Sequence, residues 1–190
     1  MVVGEKLPND FVYCTAACRA ALSPDLRGRF RNLDELVLKV AGSAVRRLII
    51  VSPYLGTGAI AALRPAMAVS AERGAWIRLV TDFGEAGDVN REVLGVLVRG
   101  EEGRIVRERL RVLTGGAECR SFLHAKMMIA DGERGYLGSA NLSGRAFDEN
   151  LEVGLALMPS QAKALDEMIS LFESSGFLQD CTESVLGRAL

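Results

Sequence analysis

Apolar residues between positions 32 and 113 recur with two alternating periods, and that alternation restricts the fold more than any other feature of the chain. Leu33, Leu36, Val37, Val40 and Ala44 return at helical spacing behind Asn32 and Glu35, which read as a capping pair. Arg47 to Tyr54 holds Leu48-Ile49-Ile50-Val51 at its centre, a short apolar run that suits a buried strand. Ile60, Leu63 and Met67 restore the helical period, with Pro65 expected to kink or restart that helix. Trp76 to Asp82, Asp88 to Arg99 and Leu110 to Leu113 continue as strand, helix and strand. After Met158, Ser160 is expected to cap a last helix, with Leu165, Met168, Ile169 and Phe172 inward and Gly176 as its stop. Alternating βα units predict an α/β fold in which helices sandwich a sheet. At 190 residues the chain suits one domain with a sizeable core. Residues 1–30 carry little pattern and are expected to form an N-terminal extension, with a short helix near Tyr13 to Leu22, before a domain over 31–190.

The chemistry concentrates in one stretch. Phe122 to Ala130 is an apolar run bounded by Ser121 and by Asp131-Gly132, a tight-turn signal. It carries His124, the single histidine of the chain, and Lys126. Side chains alternate along a strand, so His124, Lys126 and Met128 are expected on one face. Leu123, Ala125, Met127 and Ile129 take the other. Gly135 to Gly138 can return as the partner strand and deliver Ser139 and Asn141 at its exit. Leu151 to Met158 is a further strand, with Leu151, Val153, Leu155 and Leu157 on one face and Glu152, Gly154 and Ala156 on the other. Glu152, opposite the apolar face, is expected to open on a polar cleft. Imidazole, ammonium, hydroxyl, amide and carboxylate are a set for holding a phosphate and attacking it. Asp-Gly is ordinary hairpin chemistry, so Asp131 is expected to shape the turn rather than to react.

The pattern His124-x-Lys126-x4-Asp131-x6-Gly138-Ser139-x-Asn141, followed by Glu152, resembles the HKD motif of the phospholipase D superfamily. The resemblance spans roughly Val45 to Phe177 and implies a phospholipase D-like domain, a mixed β-sheet sandwiched by helices. Enzymes of that superfamily build one site from two HKD motifs. This chain has one, so the resemblance implies a homodimer joined through the HKD face. It implies that one His124 attacks phosphorus while the other protonates the leaving oxygen. Lys126, Ser139 and Asn141 would hold the phosphoryl oxygens, Glu152 would hydrogen-bond the ring nitrogen that does not attack, and Asp131 and Gly138 would be structural. Small single-motif members resemble bacterial metal-independent endonucleases, which implies a nuclease acting on DNA or RNA. The alternatives are a phospholipase or phosphatidyl transferase, or a partner-dependent nuclease subunit of a larger bacterial, anti-phage assembly.

Composition sets further limits. The motif is accompanied by no cluster at metal-ligand spacing, so no metal and no cofactor is expected. Cys14 and Cys18 are one helical turn apart but lack further ligands; with Cys119 and Cys181 they are expected as free thiols of a reducing cytoplasm. No run of about 18 apolar residues marks a transmembrane helix, and the N-terminus does not read as a signal peptide, so a cytoplasmic protein is expected. A net charge of −1 exerts no global pull on nucleic acid. Local basic clusters do exist: Arg27, Arg29 and Arg31; Arg46 and Arg47; Arg104, Arg107, Arg109 and Arg111. Arg109 and Arg111 alternate with apolar residues and are expected to form the basic rim of the cleft.

Overall fold

The computed structural model describes residues 11–84, 87–116, 123–143 and 150–187. In chain order these form β1 (Val12–Cys14), α1 (Ala16–Ala21), α2 (Pro24–Arg27), β2 (Phe30–Asn32), α3 (Leu33–Ala41), β3 (Arg47–Val51), α4 (Thr57–Glu72) and β4 (Trp76–Val80). There follow α5 (Gly87–Leu97), α6 (Gly100–Arg109), β5 (Leu110–Gly115), β6 (Met127–Ala130), β7 (Arg134–Gly138), β8 (Val153–Leu157), α7 (Pro159–Ser174), β9 (Leu178–Asp180) and α8 (Thr182–Leu186). The strands make one mixed sheet in the order β2-β1-β8-β7-β6-β3-β4-β5-β9. β3, β4 and β5 run parallel, joined by helices, whereas β6, β7 and β8 are antiparallel neighbours.

Alternation along the central strands divides the core in two, because successive side chains leave opposite faces of the sheet. Leu48, Ile50, Ile77, Leu79, Val112 and Met128 meet Leu36, Val40, Ile60, Leu63, Met67 and Leu94 from α3, α4 and α5. Ile49, Val51, Val80, Leu113, Met127 and Ile129 meet Ala162 and Ile169 of α7. The expected sandwich is therefore present, but α7 is the long helix on its side and does not reach the whole sheet. Val12, Leu137, Val153 and Leu155, on the β1-β8-β7 portion, stay between 36% and 53% exposed.

Several elements depart from the sequence reading. The extension expected over 1–30 supplies β1 and the first residue of β2; β1 pairs antiparallel with β8 and parallel with β2, so the expected division at 30/31 cuts through one sheet. α6 had no expectation, because Gly100 to Arg109 is mostly polar and buries only Gly103 and Val106. α4 continues through Pro65. Pro65 and Ala61 are exposed, so the carbonyl that Pro65 leaves unpaired faces water, while Ile60, Leu63 and Met67 on the buried side hold the helix. Asn32 and Glu35 bond each other at 2.8 Å rather than capping the backbone. α7 starts one residue before Ser160: Met158 is its N-cap, with its N–H donating to Gln161 at 2.9 Å. Cys14, Cys18 and Cys181 are free thiols, and Cys119 lies outside the described residues. Among the described residues no helix is long and apolar enough to cross a membrane.

Candidate active site

β6 and β7 form the expected hairpin, closed by Asp131 and Gly132 with φ of 58° and 67°. Both residues are left-handed; the Glu133 N–H closes the turn on the Ala130 carbonyl at 3.0 Å, and Glu133 is a third loop residue, since Ala130 pairs with Arg134. The strand is shorter than expected. β6 begins at Met127, although the Gly138 N–H still reaches the Lys126 carbonyl at 3.1 Å and carries the ladder one residue further. His124 therefore stands in irregular chain ahead of the strand, exposed. Ser121 and Phe122 lie outside the described residues.

The expected neighbourhood of His124 and Lys126 is nonetheless present. Lys126 Nζ lies 3.1 Å from His124 Nδ1 and donates to the His124 carbonyl at 2.7 Å. An ammonium has donors only, so Nδ1 accepts and a neutral ring carries its proton on Nε2. Lys126 is 6% exposed. Burial holds its ammonium below the ordinary lysine range, and the Glu152 carboxylate offsets part of that.

Glu152 stands immediately before β8 and is buried. Ser139 Oγ donates a short hydrogen bond to Glu152 Oε2, and Asn150 Nδ2 donates to Oε1 at 3.3 Å. The bond expected between Glu152 and the His124 ring is not made: both carboxylate oxygens are taken by Ser139 and Asn150, and His124 turns to Lys126. Ser139 is fixed further, its N–H donating to the Val153 carbonyl at 3.0 Å and its Oγ accepting the Val153 N–H at 3.2 Å. Asn141 lies on the same loop. Its Oδ1 is buried with no hydrogen-bond partner among the described residues, a rare state for a buried polar atom.

Beneath this loop lies Tyr136, which sequence reasoning missed. It is 3% exposed, and its hydroxyl accepts the Ala140 N–H at 3.2 Å, between Ser139 and Asn141. A Cβ at Gly138 would lie 2.4 Å from that hydroxyl, and one at Gly154 would lie 2.3 Å from the ring. Gly138 is thus needed for space under the loop. Burial, with Glu152 adding to it against the Ala140 N–H, pushes the Tyr136 hydroxyl up to about 12.

Thr15 is a second residue without a sequence signal. Only 1% exposed, its Oγ1 donates to the Asn150 carbonyl at 2.9 Å, and Cys18 Sγ lies 3.5 Å from the same oxygen. The segment after β1 therefore braces Asn150, which in turn holds Glu152.

Asp131 sits elsewhere. Its carboxylate accepts the backbone N–H groups of Val45, Arg46 and Arg47 at 2.8 to 2.9 Å, tying the hairpin to the start of β3. Five strand residues at about 3.3 Å each separate it from Lys126, roughly 16 Å. The expected basic rim also lies at that far end. Arg109 is the last residue of α6, not part of a strand, and stacks 5.2 Å over Trp76. Arg111 pairs with Glu173 at 2.6 Å and Asp180 at 2.8 Å. A cavity of about 600 Å³ there is lined by Arg46, Arg47, Trp76, Arg78, Arg111 and Asp131, none of them near His124. Among the described residues no group of three or more His, Cys, Asp or Glu could hold a metal ion.

A mixed sheet between helices, with His, Lys, Ser, Asn and Glu gathered where β6 and β8 begin, defines a phospholipase D-like domain. A family model described as cardiolipin synthase, PLD-like domain, matches residues 37–175, and the chain belongs to that family of PLD-like phosphodiesterases. Three solved structures share the fold. Nuc from Salmonella typhimurium, described as a phospholipase D family member, is 18% identical with a TM-score of 0.57, covering 78% of this chain and 90% of that one. NucT from Helicobacter pylori is 17% identical with a TM-score of 0.57, covering 87% of this chain and 94% of that one. A phosphatidylserine synthase from Haemophilus influenzae is 19% identical with a TM-score of 0.57, covering 79% of this chain and 37% of that one. No curated protein sequence matches the chain.

Proposed function

We propose that this protein is a metal-independent phosphodiesterase that cuts nucleic acid, DNA or RNA, through a phosphohistidine in a site completed by a second copy. The observation that carries the reading is a buried ammonium, Lys126, held 3.1 Å from an exposed imidazole, His124. Burying a lysine is costly, and that cost suits a group meant to meet a phosphoryl oxygen.

His124 Nε2 of one copy attacks phosphorus, and the bond to the leaving oxygen breaks as His124 of the other copy gives that oxygen its proton. That second imidazole then takes a proton from water. The resulting hydroxide attacks phosphorus, the P–N bond breaks, and a phosphate monoester and free His124 are restored. The acid is an imidazolium with protons on both ring nitrogens, which gives its Nε2 proton to the leaving oxygen and becomes a neutral ring protonated on Nδ1. The attacking ring needs the proton on Nδ1, which frees Lys126 for the phosphoryl oxygens. Glu152 is the acceptor for that N–H once Ser139 turns its hydroxyl toward substrate. Asn141, through its amide N–H, is the remaining donor on the loop.

The second copy has a surface to meet. Leu155 lies between Val12 and Leu137 in the ladder, Val153 and Leu151 continue the same face, and Leu151 is 79% exposed. An apolar sheet face of this kind marks an interaction site. It adjoins the site directly, since Leu137 precedes Gly138-Ser139 and Val153 follows Glu152.

A phosphatidyl transferase is the second reading, favoured by the description of the matching family model and by the phosphatidylserine synthase among the similar structures. One assay separates the two. Wild type and His124→Ala are incubated in chelator with single- and double-stranded DNA, RNA, a bis(p-nitrophenyl) phosphate ester and phosphatidylglycerol vesicles. Cleavage of a strand by wild type alone supports the nuclease; turnover of lipid alone sinks it. In mixtures with His124→Ala, activity falling faster than the wild-type fraction supports the shared site, and a linear fall refutes it.

A further inference from the structure

The sequence offers three basic clusters, and the structure separates them by what each arginine faces. Arg46 and Arg47 reach Glu133 and Asp166, Arg104 reaches Glu108, and Arg111 reaches Glu173 and Asp180. In the third cluster Arg107 and Arg109, in the last turn of α6, have no ion-pair partner among the described residues either, and Arg109 lies over Trp76. The cluster at 27–31, joined by Arg19, differs in being unpaired throughout. None of Arg19, Arg27, Arg29 and Arg31 has an ion-pair partner among the described residues, and the segment from Thr15 to Asn32 contains one acidic residue, Asp25.

What these arginines do bond is backbone. Arg19 Nε donates to the Phe30 carbonyl at 3.1 Å, and one Arg27 nitrogen donates to Ala20 and Leu22 at 2.8 and 3.0 Å. One Arg31 nitrogen donates to Gly28 and Phe30 at 3.3 and 3.2 Å, and its guanidinium stacks 3.8 Å over Phe11. α1 and α2 bury no residue, so these bonds hold a module with almost no core of its own. A guanidinium has five N–H donors, and most remain free here. Arg29 is exposed and its side chain bonds no other described residue. Arg19, Arg27 and Arg31 are held in place, Arg29 extends from the same edge, and none of the four meets a carboxylate among the described residues.

The module also adjoins the site. α1 follows Thr15 directly, and Cys18 Sγ lies 3.5 Å from the carbonyl of Asn150, whose amide bonds Glu152. Arg19 therefore stands roughly 10–15 Å from Glu152 at about 3.8 Å per residue. That distance is about three to four nucleotides at roughly 3.4 Å each.

We infer that the α1–α2–β2 edge, through Arg19, Arg27, Arg29 and Arg31, grips the nucleic-acid backbone that flanks the phosphate being cut. The inference rests on the nuclease reading. It lies outside residues 37–175, so it concerns a part of the chain that the family model does not cover. An anionic bilayer would also meet these charges. α1, however, has no large apolar side chain and α2 has only Leu26, so little is present to enter a bilayer.

The test uses the full chain with His124→Ala in the background, so that strands are bound but not cut. Binding of fluorescent DNA and RNA strands is followed by anisotropy across a salt series in chelator, with sedimentation of phosphatidylglycerol vesicles alongside. Arg29→Gln should lower the slope of log affinity against log salt by about one, and Arg27→Glu with Arg29→Glu should weaken binding by about tenfold or more at low salt. Arg109→Glu, the same change at the far end, should leave both nearly as they were. In the active chain the edge variants should hydrolyse bis(p-nitrophenyl) phosphate within about twofold of wild type, because the small ester reaches only the site. Arg29 bonds no described side chain or carbonyl, so its variants fold even if Arg27→Glu does not. Unchanged strand binding in the Arg29 variants overturns the inference while leaving the nuclease reading intact. A parallel loss on the small ester overturns it by showing that the edge acts through the site. No strand binding by the parent overturns both, and vesicle binding in its place assigns the edge to a membrane.

Discussion

At the end of the sheet where β3, β4 and β5 begin, Arg46, Arg47, Arg78 and Arg111 each reach a carboxylate, on Glu133, Asp166, Glu173 and Asp180, and Asp131 collects three backbone N–H groups. At the end where β6 and β8 begin, Lys126 meets an imidazole and a carbonyl and Asn141 keeps an orphan oxygen, and along the α1–α2–β2 edge the arginines of residues 19–31 meet backbone, the Phe11 ring or solvent. The first end ties α7 and the hairpin to the sheet and spends its charge on stability. The second leaves charge unspent, and unspent charge is what an anionic substrate can use. Residues of the motif fall on both sides of this divide, with Asp131 on the first and His124, Lys126, Ser139, Asn141 and Glu152 on the second.

The sharpest break between the two ends is expected from His124→Ala. Turnover of a phosphodiester should fall by about 10³-fold or more, while the melting temperature stays within about 1 °C of wild type, since the side chain removed is exposed and Lys126 keeps its bond to the backbone carbonyl of residue 124. Retained turnover in the folded variant would sink the mechanism. Asp131→Ala should do the reverse. It removes the acceptor of three N–H groups and leaves alanine at a left-handed φ of 58°, for a loss of about 2–4 kcal/mol. Denaturant unfolding measures that loss, and turnover at low temperature should stay within about threefold. Strong loss of turnover with little loss of stability would move Asp131 to the catalytic end.

Thr15→Val tests whether the N-terminal segment belongs to the catalytic end. It removes one buried hydroxyl bond to Asn150 at nearly constant volume. kcat for the small ester should drop by about five- to tenfold, KM should hold, the limb of the pH–rate profile assigned to the histidines should shift, and Thr15→Ser should restore all three. A change in stability alone would make Thr15 merely structural. The last expectation concerns the sign of the stability change at Lys126. Burial lowers its folded-state proton affinity below the ordinary value of 10.5, so the folded chain binds the proton less well than the unfolded chain does. The ammonium therefore costs the fold stability at neutral pH, and that cost fades as pH rises toward 10.5. Lys126→Met should abolish turnover yet raise the melting temperature by about 2–4 °C, corresponding to about 1 kcal/mol. A lowered melting temperature would mean that the bond to the His124 carbonyl outweighs desolvation.

Much of the catalytic end was legible in the residues. Asp131-Gly132 announced a tight turn because few other pairs accept left-handed backbone at both positions, and both do so here, with Glu133 as a third loop residue. Period-two alternation then placed His124 beside Lys126, and the observed 3.1 Å approach agrees, although the strand proper begins only at Met127. The partner of Glu152 was not legible: proximity to an imidazole follows from no spacing, and Ser139 and Asn150 hold the carboxylate instead. Nor was the direction of β8. Its apolar side, Leu151, Val153 and Leu155, faces outward, because Gly154 and Ala156 on the other side give Tyr136 and α3 the room to pack. A pattern distinguishes two faces without saying which one the helices cover.

The sequence by itself determined the α/β class, the stripes of α3, α4 and α7 and the hairpin, since each rests on neighbours within one or two turns of chain, and the residue set proposed for catalysis came from the motif resemblance. The tertiary structure alone decided that residues 12–32 join the sheet, that α6 forms, and which arginines are neutralised. Arg47 and Asp166 are 119 residues apart and Arg111 and Asp180 are 69 apart, so their pairing depends on where α7 and β9 come to rest. A charge is free or spent according to what faces it in space, and local periodicity carries no information about that.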